Sequence, residues 1–124
     1  MRIKSDVLIS ALLRQVSAQG GFATIVHKGA AEAGAIFLQA RQRDGSYALY
    51  GPAPQALVES GRDDAGLRHL ELRLEDASGA EIDSKMAGER RFDPDLWLVE
   101  IEDVKPQTVL SDLAIIIPPT DFGT

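Results

Sequence analysis

The chain has no cysteine and only two histidines in 124 residues. Without cysteine there can be no disulfide, no thiolate zinc site and no cysteine nucleophile. His27 and His69 stand far apart and outside any H-E-x-x-H pattern, so a histidine-based zinc site lacks its ligands. No G-x-S-x-G elbow is present to expose a nucleophilic serine. No stretch approaches the roughly 18 apolar residues of a membrane span. The short apolar run Val7–Ile9 follows Arg2 and Lys4, but Ser10 and Arg14 interrupt it and no small-residue cleavage site follows, so no secretory signal is expected. A basic stripe is missing too. Net charge is −6. Residues 1–43 carry six basic and two acidic side chains, residues 44–124 seven and seventeen. A chain so charged repels phosphate backbones. These absences point to a soluble cytoplasmic protein with no cofactor, no metal, no nucleic-acid partner and no membrane partner.

What is present is a hairpin. In GAIFLQARQRDGSYALYGPAP (residues 34–54), Asp44-Gly45 reads as a two-residue turn between alternating strands. That turn sets Ala40 opposite Leu49 and Leu38 opposite Gly51. One face then holds Ile36, Leu38, Ala40 and Leu49, and the other Phe37, Gln39, Arg41, Ala48 and Tyr50.

Before the hairpin, Ser5 is placed to cap a helix with Asp6 in its first turn. Leu8, Ile9, Leu12, Leu13 and Val16 recur at helical spacing, and Gly20-Gly21 closes the helix. Phe22–Lys28 reads as a strand. Gly29 and Gly34 have the spacing that opens a phosphate-binding loop, but no Lys-Ser or Lys-Thr follows and a strand comes next. After the hairpin, Gly51-Pro52-Ala53-Pro54 breaks regular structure, Gln55–Glu59 suits a short helix and residues 60–66 a polar loop. Leu67–Leu74 alternates as a strand, with Leu70, Leu72 and Leu74 on one side. Ser78-Gly79-Ala80-Glu81 is a capping box, predicting a helix to about Arg90. Leu96–Asp103 reads as a strand with Trp97, Val99 and Ile101 on one side. Leu113–Ile117 is β-prone and is stopped by Pro118-Pro119. It can be an edge strand, an arm laid on a second copy, or a disordered tail.

The pattern predicts an α+β protein: an antiparallel or mixed sheet of four to five strands packed by two helices, as a two-layer sandwich. Leu96 and Leu98 make the second face of the last strand partly apolar, which leaves open whether helices cover one face or both. Residues 1–103 are expected to form a single domain and residues 104–124 a C-terminal tail or arm.

No catalytic constellation emerges. Tyr50, Pro52, Pro54 and Trp97, with Phe92, lie at the ends of elements, where they suit either a recognition surface or a satellite core. Arg91, Asp93, Asp95, Glu100, Glu102 and Asp103 form the densest polar cluster. Asp93 and Asp95 could pair to hold a cation or share a proton, but the favoured reading is a turn in which Asp93 caps the chain before a proline, with Glu100 and Glu102 on a solvated strand face. Two readings follow. One is a small binding or protein-interaction module whose unknown partner is another protein or itself, as a homodimer through the tail. The other is an enzyme or small-ligand protein with its site near Arg91, Asp93 and Asp95, beside Tyr50 and Trp97.

Three stretches, SDVLISALLRQ, GAIFLQARQRDGSYALYGPAPQ and RFDPDLWLVEIED, resemble a family of short alphaproteobacterial proteins, domain of unknown function 1491. The likeness runs from about Arg2 to Asp103. It implies lineage and a bacterial cytoplasmic setting, and it carries no catalytic or binding residue with it.

Overall fold

A computed structural model gives the architecture of residues 3–54 and 67–117. The short helix and polar loop expected at 55–66, and the prolines expected to stop the last strand, lie outside the described residues. The elements run α1 (Ser5–Ala18), β1 (Phe22–His27), β2 (Ile36–Arg41), β3 (Tyr47–Pro52), β4 (Arg68–Ala77), α2 (Gly79–Phe92), β5 (Trp97–Glu102), α3 (Pro106–Val109) and β6 (Ala114–Ile117). The α+β class holds, with six strands and three helices among the described residues in place of the expected four to five and two. The additional helix and strand come from the stretch that the sequence sets apart as a tail: α3 enters the core and β6 is an edge strand.

The strands form one mixed sheet in the order β1-β5-β2-β3-β4-β6. β5 pairs antiparallel with β1 and parallel with β2, and β6 pairs parallel with β4. Parallel neighbours need crossover connections. The chain crosses from β4 through α2 to β5, and back from β5 through α3 to β6. The two crossovers run in opposite directions along the sheet, so one hand of connection sends them to opposite faces.

The core is accordingly double. On one face the stripe of α1 (Leu8, Ile9, Leu12, Val16) and α3 (Val109) pack against Leu38, Tyr50, Trp97, Val99 and Ile101. On the other, Ile82 and Met86 of α2 pack against Phe37, Leu49, Leu96 and Leu98. The two-layer sandwich is therefore corrected to three layers. The reason is visible in β5, where both sets of alternating side chains are apolar through Leu98. Leu12, Leu38, Leu49, Val99 and Ile101 are fully buried, each adding about 1.5–3 kcal/mol of transfer free energy.

The hairpin register differs from the expected one by a residue. Ala40 pairs with Ala48 and Leu38 with Tyr50. The Gln42 carbonyl accepts from Gly45 N–H at 3.0 Å, and Gln42 N–H donates to Ser46 at 2.8 Å. The loop thus holds three residues, Arg43, Asp44 and Gly45, and only Gly45 takes positive φ, at 87°. A two-residue turn of the expected kind needs positive φ at Asp44 as well. The slip moves Leu49 to the α2 face and Ala48 and Tyr50 to the α1 face. A bulge in β4 has a similar effect: Leu72 pairs with Tyr50 but Leu74 with Leu49, so Leu74 turns to the α2 face, away from Leu70 and Leu72.

The helix ends are set locally. Ser78 and Glu81 form the reciprocal capping box at the start of α2. At the end of α1, Gly20 N–H donates to Ser17 and Gly21 N–H to Val16, the bonds of a Schellman motif. Ser5 departs from expectation. Lys4 occupies the cap position, and the buried Ser5 hydroxyl donates to the Gly34 carbonyl at 2.6 Å.

Candidate functional site

The two ends of the sheet are built differently. At the end where β2 and β5 begin, polar groups are buried and joined. The Gly34 carbonyl accepts from Ser5 Oγ and from Arg68 Nη1 at 2.9 Å, while Arg68 Nη2 donates to the Ile3 carbonyl at 3.0 Å. Arg68 is only 4% exposed. Trp97 Nε1 donates to the Ala30 carbonyl at 2.8 Å. Gly29 and Gly34 lie against the Asp95 carbonyl so closely that neither has room for a Cβ.

The opposite end opens into a groove of about 860 Å³. It lies beyond the carboxyl ends of the adjacent parallel strands β2 and β5, where open α/β sheets commonly take ligands. Its shape follows from small side chains. Ala40 and Ala48 face each other across the hairpin, and neither fills the space between the sheet and the segment entering α3. Tyr50, Val104 and Pro106 complete the apolar lining, with Arg41, Arg43, Glu102, Asp103 and Lys105 around it. The three cations outnumber the two carboxylates on a chain whose net charge is −6. Arg41 Nη1 stands 3.5 Å from Glu102 Oε1, which leaves Arg43 and Lys105 as the cations beyond that pair. Asp103 holds φ at 65°, a left-handed conformation that aspartate tolerates better than most residues. At the hairpin tip, Ser46 donates to Asp44 Oδ1 from its hydroxyl at 2.6 Å and its backbone N–H at 2.9 Å. The hydroxyl bond first, then the backbone bond, hold the Asp44 carboxyl below its ordinary value.

Of the residues singled out from the sequence, Tyr50 lines this groove. Pro52 ends β3 and its carbonyl accepts from Arg73. Pro54 is exposed. Arg91 is exposed in the last turn of α2, and Asp93 caps that helix, accepting from Asp95 N–H at 3.0 Å. Asp95 is exposed while its carbonyl receives Ala30 N–H at 2.9 Å. Trp97 is buried in the α1-face core. Arg91, Asp93 and Asp95 thus share one turn ahead of β5, and the groove lies past its other end, roughly 17 Å along the strand. Among the described residues, no group of three or more His, Asp or Glu is placed to hold a metal ion, and no helix is long and apolar enough to cross a membrane.

Sequence reasoning placed Glu102 and Asp103 in one polar cluster with Arg91, Asp93 and Asp95, and missed the other residues that make the groove: Ala40, Ala48, Arg41, Arg43 and Lys105. The signal was there in part. In the observed register the two alanines face each other, and Arg41 and Arg43 are local cations in an acidic chain.

The model of the family described as "Protein of unknown function (DUF1491)" matches residues 3–111. The match runs eight residues past Asp103, where the sequence likeness stopped, and takes in α3. No curated protein matches the chain. The solution structure of protein Atu0922 from A. tumefaciens is 46% identical, with a TM-score of 0.77, covering 96% of this chain and 100% of that one. A DUF1491 family protein from Caulobacter crescentus CB15 is 28% identical in its crystal structure, with a TM-score of 0.73, covering 94% and 100%. An NMR structure of a DUF1491 family protein from the same organism is 29% identical, with a TM-score of 0.71, covering 94% and 98%. The chain belongs to the DUF1491 family.

Proposed function

With a family that supplies a fold and no activity to inherit, we propose that the chain is a small binding module. Its ligand occupies the groove at the carboxyl ends of β2 and β5. The observation that carries this reading is a hollow of about 860 Å³ with an apolar floor and a locally cationic rim on an acidic protein. Small-molecule sites have this composition: mostly apolar walls with a few placed polar groups. Arg43 and Lys105 select a small organic anion, a carboxylate or phosphate, and the floor of Ala40, Ala48 and Tyr50 takes its apolar part. The reading moves the site away from the turn at Arg91, Asp93 and Asp95 to the other end of the sheet.

A thermal-shift panel of carboxylates, phosphates and nucleotides on the full chain tests it. A ligand at a hundred times its dissociation constant stabilises the folded state by about 2.7 kcal/mol. The expected result is a rise in melting temperature for one anion class, abolished by Arg43→Glu with Lys105→Glu. No shift across the panel, or a shift that survives both substitutions, overturns the reading. A shift removed instead by Arg91→Ala and Asp93→Asn would return the site to that turn.

A further inference from the structure

Tyr50 stands at the inner end of the groove. It pairs with Leu38 across the hairpin, further into the sheet than the facing pair Ala40 and Ala48. Its side chain is part of the α1-face core and only 7% exposed. A buried aromatic with a polar atom normally gives that atom a hydrogen-bond partner. Trp97 in the same core follows the rule, since Nε1 donates to the Ala30 carbonyl. Tyr50 does not. Among the described residues no group is hydrogen-bonded to its hydroxyl, and the hydroxyl is not sealed from solvent. Packing alone does not call for it, because a phenylalanine would fill the same core. A hydroxyl held at so buried a position without a partner costs free energy.

We infer that the Tyr50 hydroxyl is the inner hydrogen-bonding point of the groove. The ligand is then an elongated organic anion with a neutral hydroxyl, carbonyl or ring nitrogen at the end remote from its charge. This rests on the reading of the groove as an anion site and narrows it. Arg43 and Lys105 lie beyond the ends of β2 and β5. Tyr50 is level with Leu38, three residues before Arg41, so charge and hydroxyl are held on the order of 10 Å apart. Ala40 and Ala48 lie between them in the register, and their small side chains leave the path open. An anion without a remote polar group would satisfy the rim and leave the hydroxyl unpaired.

Titration calorimetry of the full chain with two matched anions, phenylpropionate and para-hydroxyphenylpropionate, tests this. They differ only in a hydroxyl at the end remote from the carboxylate. The hydroxylated anion is expected to bind about tenfold more tightly. Tyr50→Phe should lower its affinity to that of the plain one. The same variant should melt at or above the wild-type temperature, because no hydrogen bond within the protein is lost. A lower melting temperature means that the hydroxyl is paired inside the fold, and overturns the inference. Equal binding of the two anions by the wild-type chain does so too, as does a preference that survives Tyr50→Phe. Absence of binding by either anion overturns the ligand class proposed here, while the wider anion panel still decides the groove. Arg43→Glu with Lys105→Glu separates the two readings. Affinities lost in that variant uphold the anion site whatever Tyr50 does, and affinities that survive it overturn both.

Discussion

The two ends of the sheet make opposite use of the same strands. Where β2 and β5 begin, backbone and side chain are brought so close that glycine alone fits at positions 29 and 34, and a buried arginine ties β4 to the residues around α1. Where β2 and β5 end, two alanines face each other and charged side chains stand around unfilled space. The comparison teaches where stability and binding are located in a chain of this size. The closed end removes polar groups from water and joins Ser5, Gly34, Arg68 and Ile3 by hydrogen bonds. The open end leaves its charges hydrated and available. Substitutions should therefore separate into those that unfold the protein and those that leave it folded.

The largest effect is expected from Gly34→Ala. A Cβ at this position runs into the Asp95 and Ala30 carbonyls, which are backbone and cannot turn aside. Overpacking of this kind costs about 3 kcal/mol, seen as a melting temperature lower by roughly 12 °C. Arg68→Met comes next. It strips one charged donor from the Gly34 carbonyl, which keeps Ser5, and orphans the Ile3 carbonyl. Chemical denaturation should show a loss of about 2 kcal/mol. At the open end, Arg43→Ala should change stability by less than about 0.5 kcal/mol while weakening anion binding measured by titration calorimetry. A loss of stability there as large as that of Arg68→Met would erase the distinction between the two ends.

The smallest effect belongs to Asp44. The folded chain holds its carboxyl below the ordinary value of 3.8. Its contribution is therefore fully present above that value and is lost as pH falls through the lower, folded one. Asp44→Asn should remove this part of the acid sensitivity of the hairpin, which NMR of the Ser46 amide across the acid range would show.

The pattern of legibility in the sequence follows the range of the forces. The capping box of Ser78 and Glu81 was readable because its bonds close within four residues. The stripe of α1 was readable because period alone fixes it. The register of the hairpin was not, since Asp44-Gly45 suits a two-residue and a three-residue loop equally and the choice falls on one dihedral angle at Asp44. That single residue decided whether Ala40 met Leu49 or Ala48, and so whether the hollow could be seen. The face of Leu74 depended on a bulge against β3 that no local pattern announces. Ser5 had the right chemistry for a cap, but Gly34, 29 residues away, took its hydroxyl. The groove joins the hairpin to the segment after β5, and the lack of side-chain volume at two alanines gives no periodic signal. Tyr50 was found because an aromatic at a strand end is conspicuous.

The strand order has a consequence in time as well as in space. β5 lies between β1 and β2, yet it is made long after both: Phe22 pairs with Glu102 and Ile36 with Trp97, separations of 80 and 61 residues. As the chain leaves the ribosome, β2, β3 and β4 can assemble as consecutive antiparallel neighbours. β1 has no partner within this chain until residue 102 has emerged. For most of synthesis an apolar strand therefore waits with both edges bare. Contacts of such long range fold slowly, on the order of milliseconds to seconds. The strand that remains half exposed in the finished protein is the one exposed longest during its making.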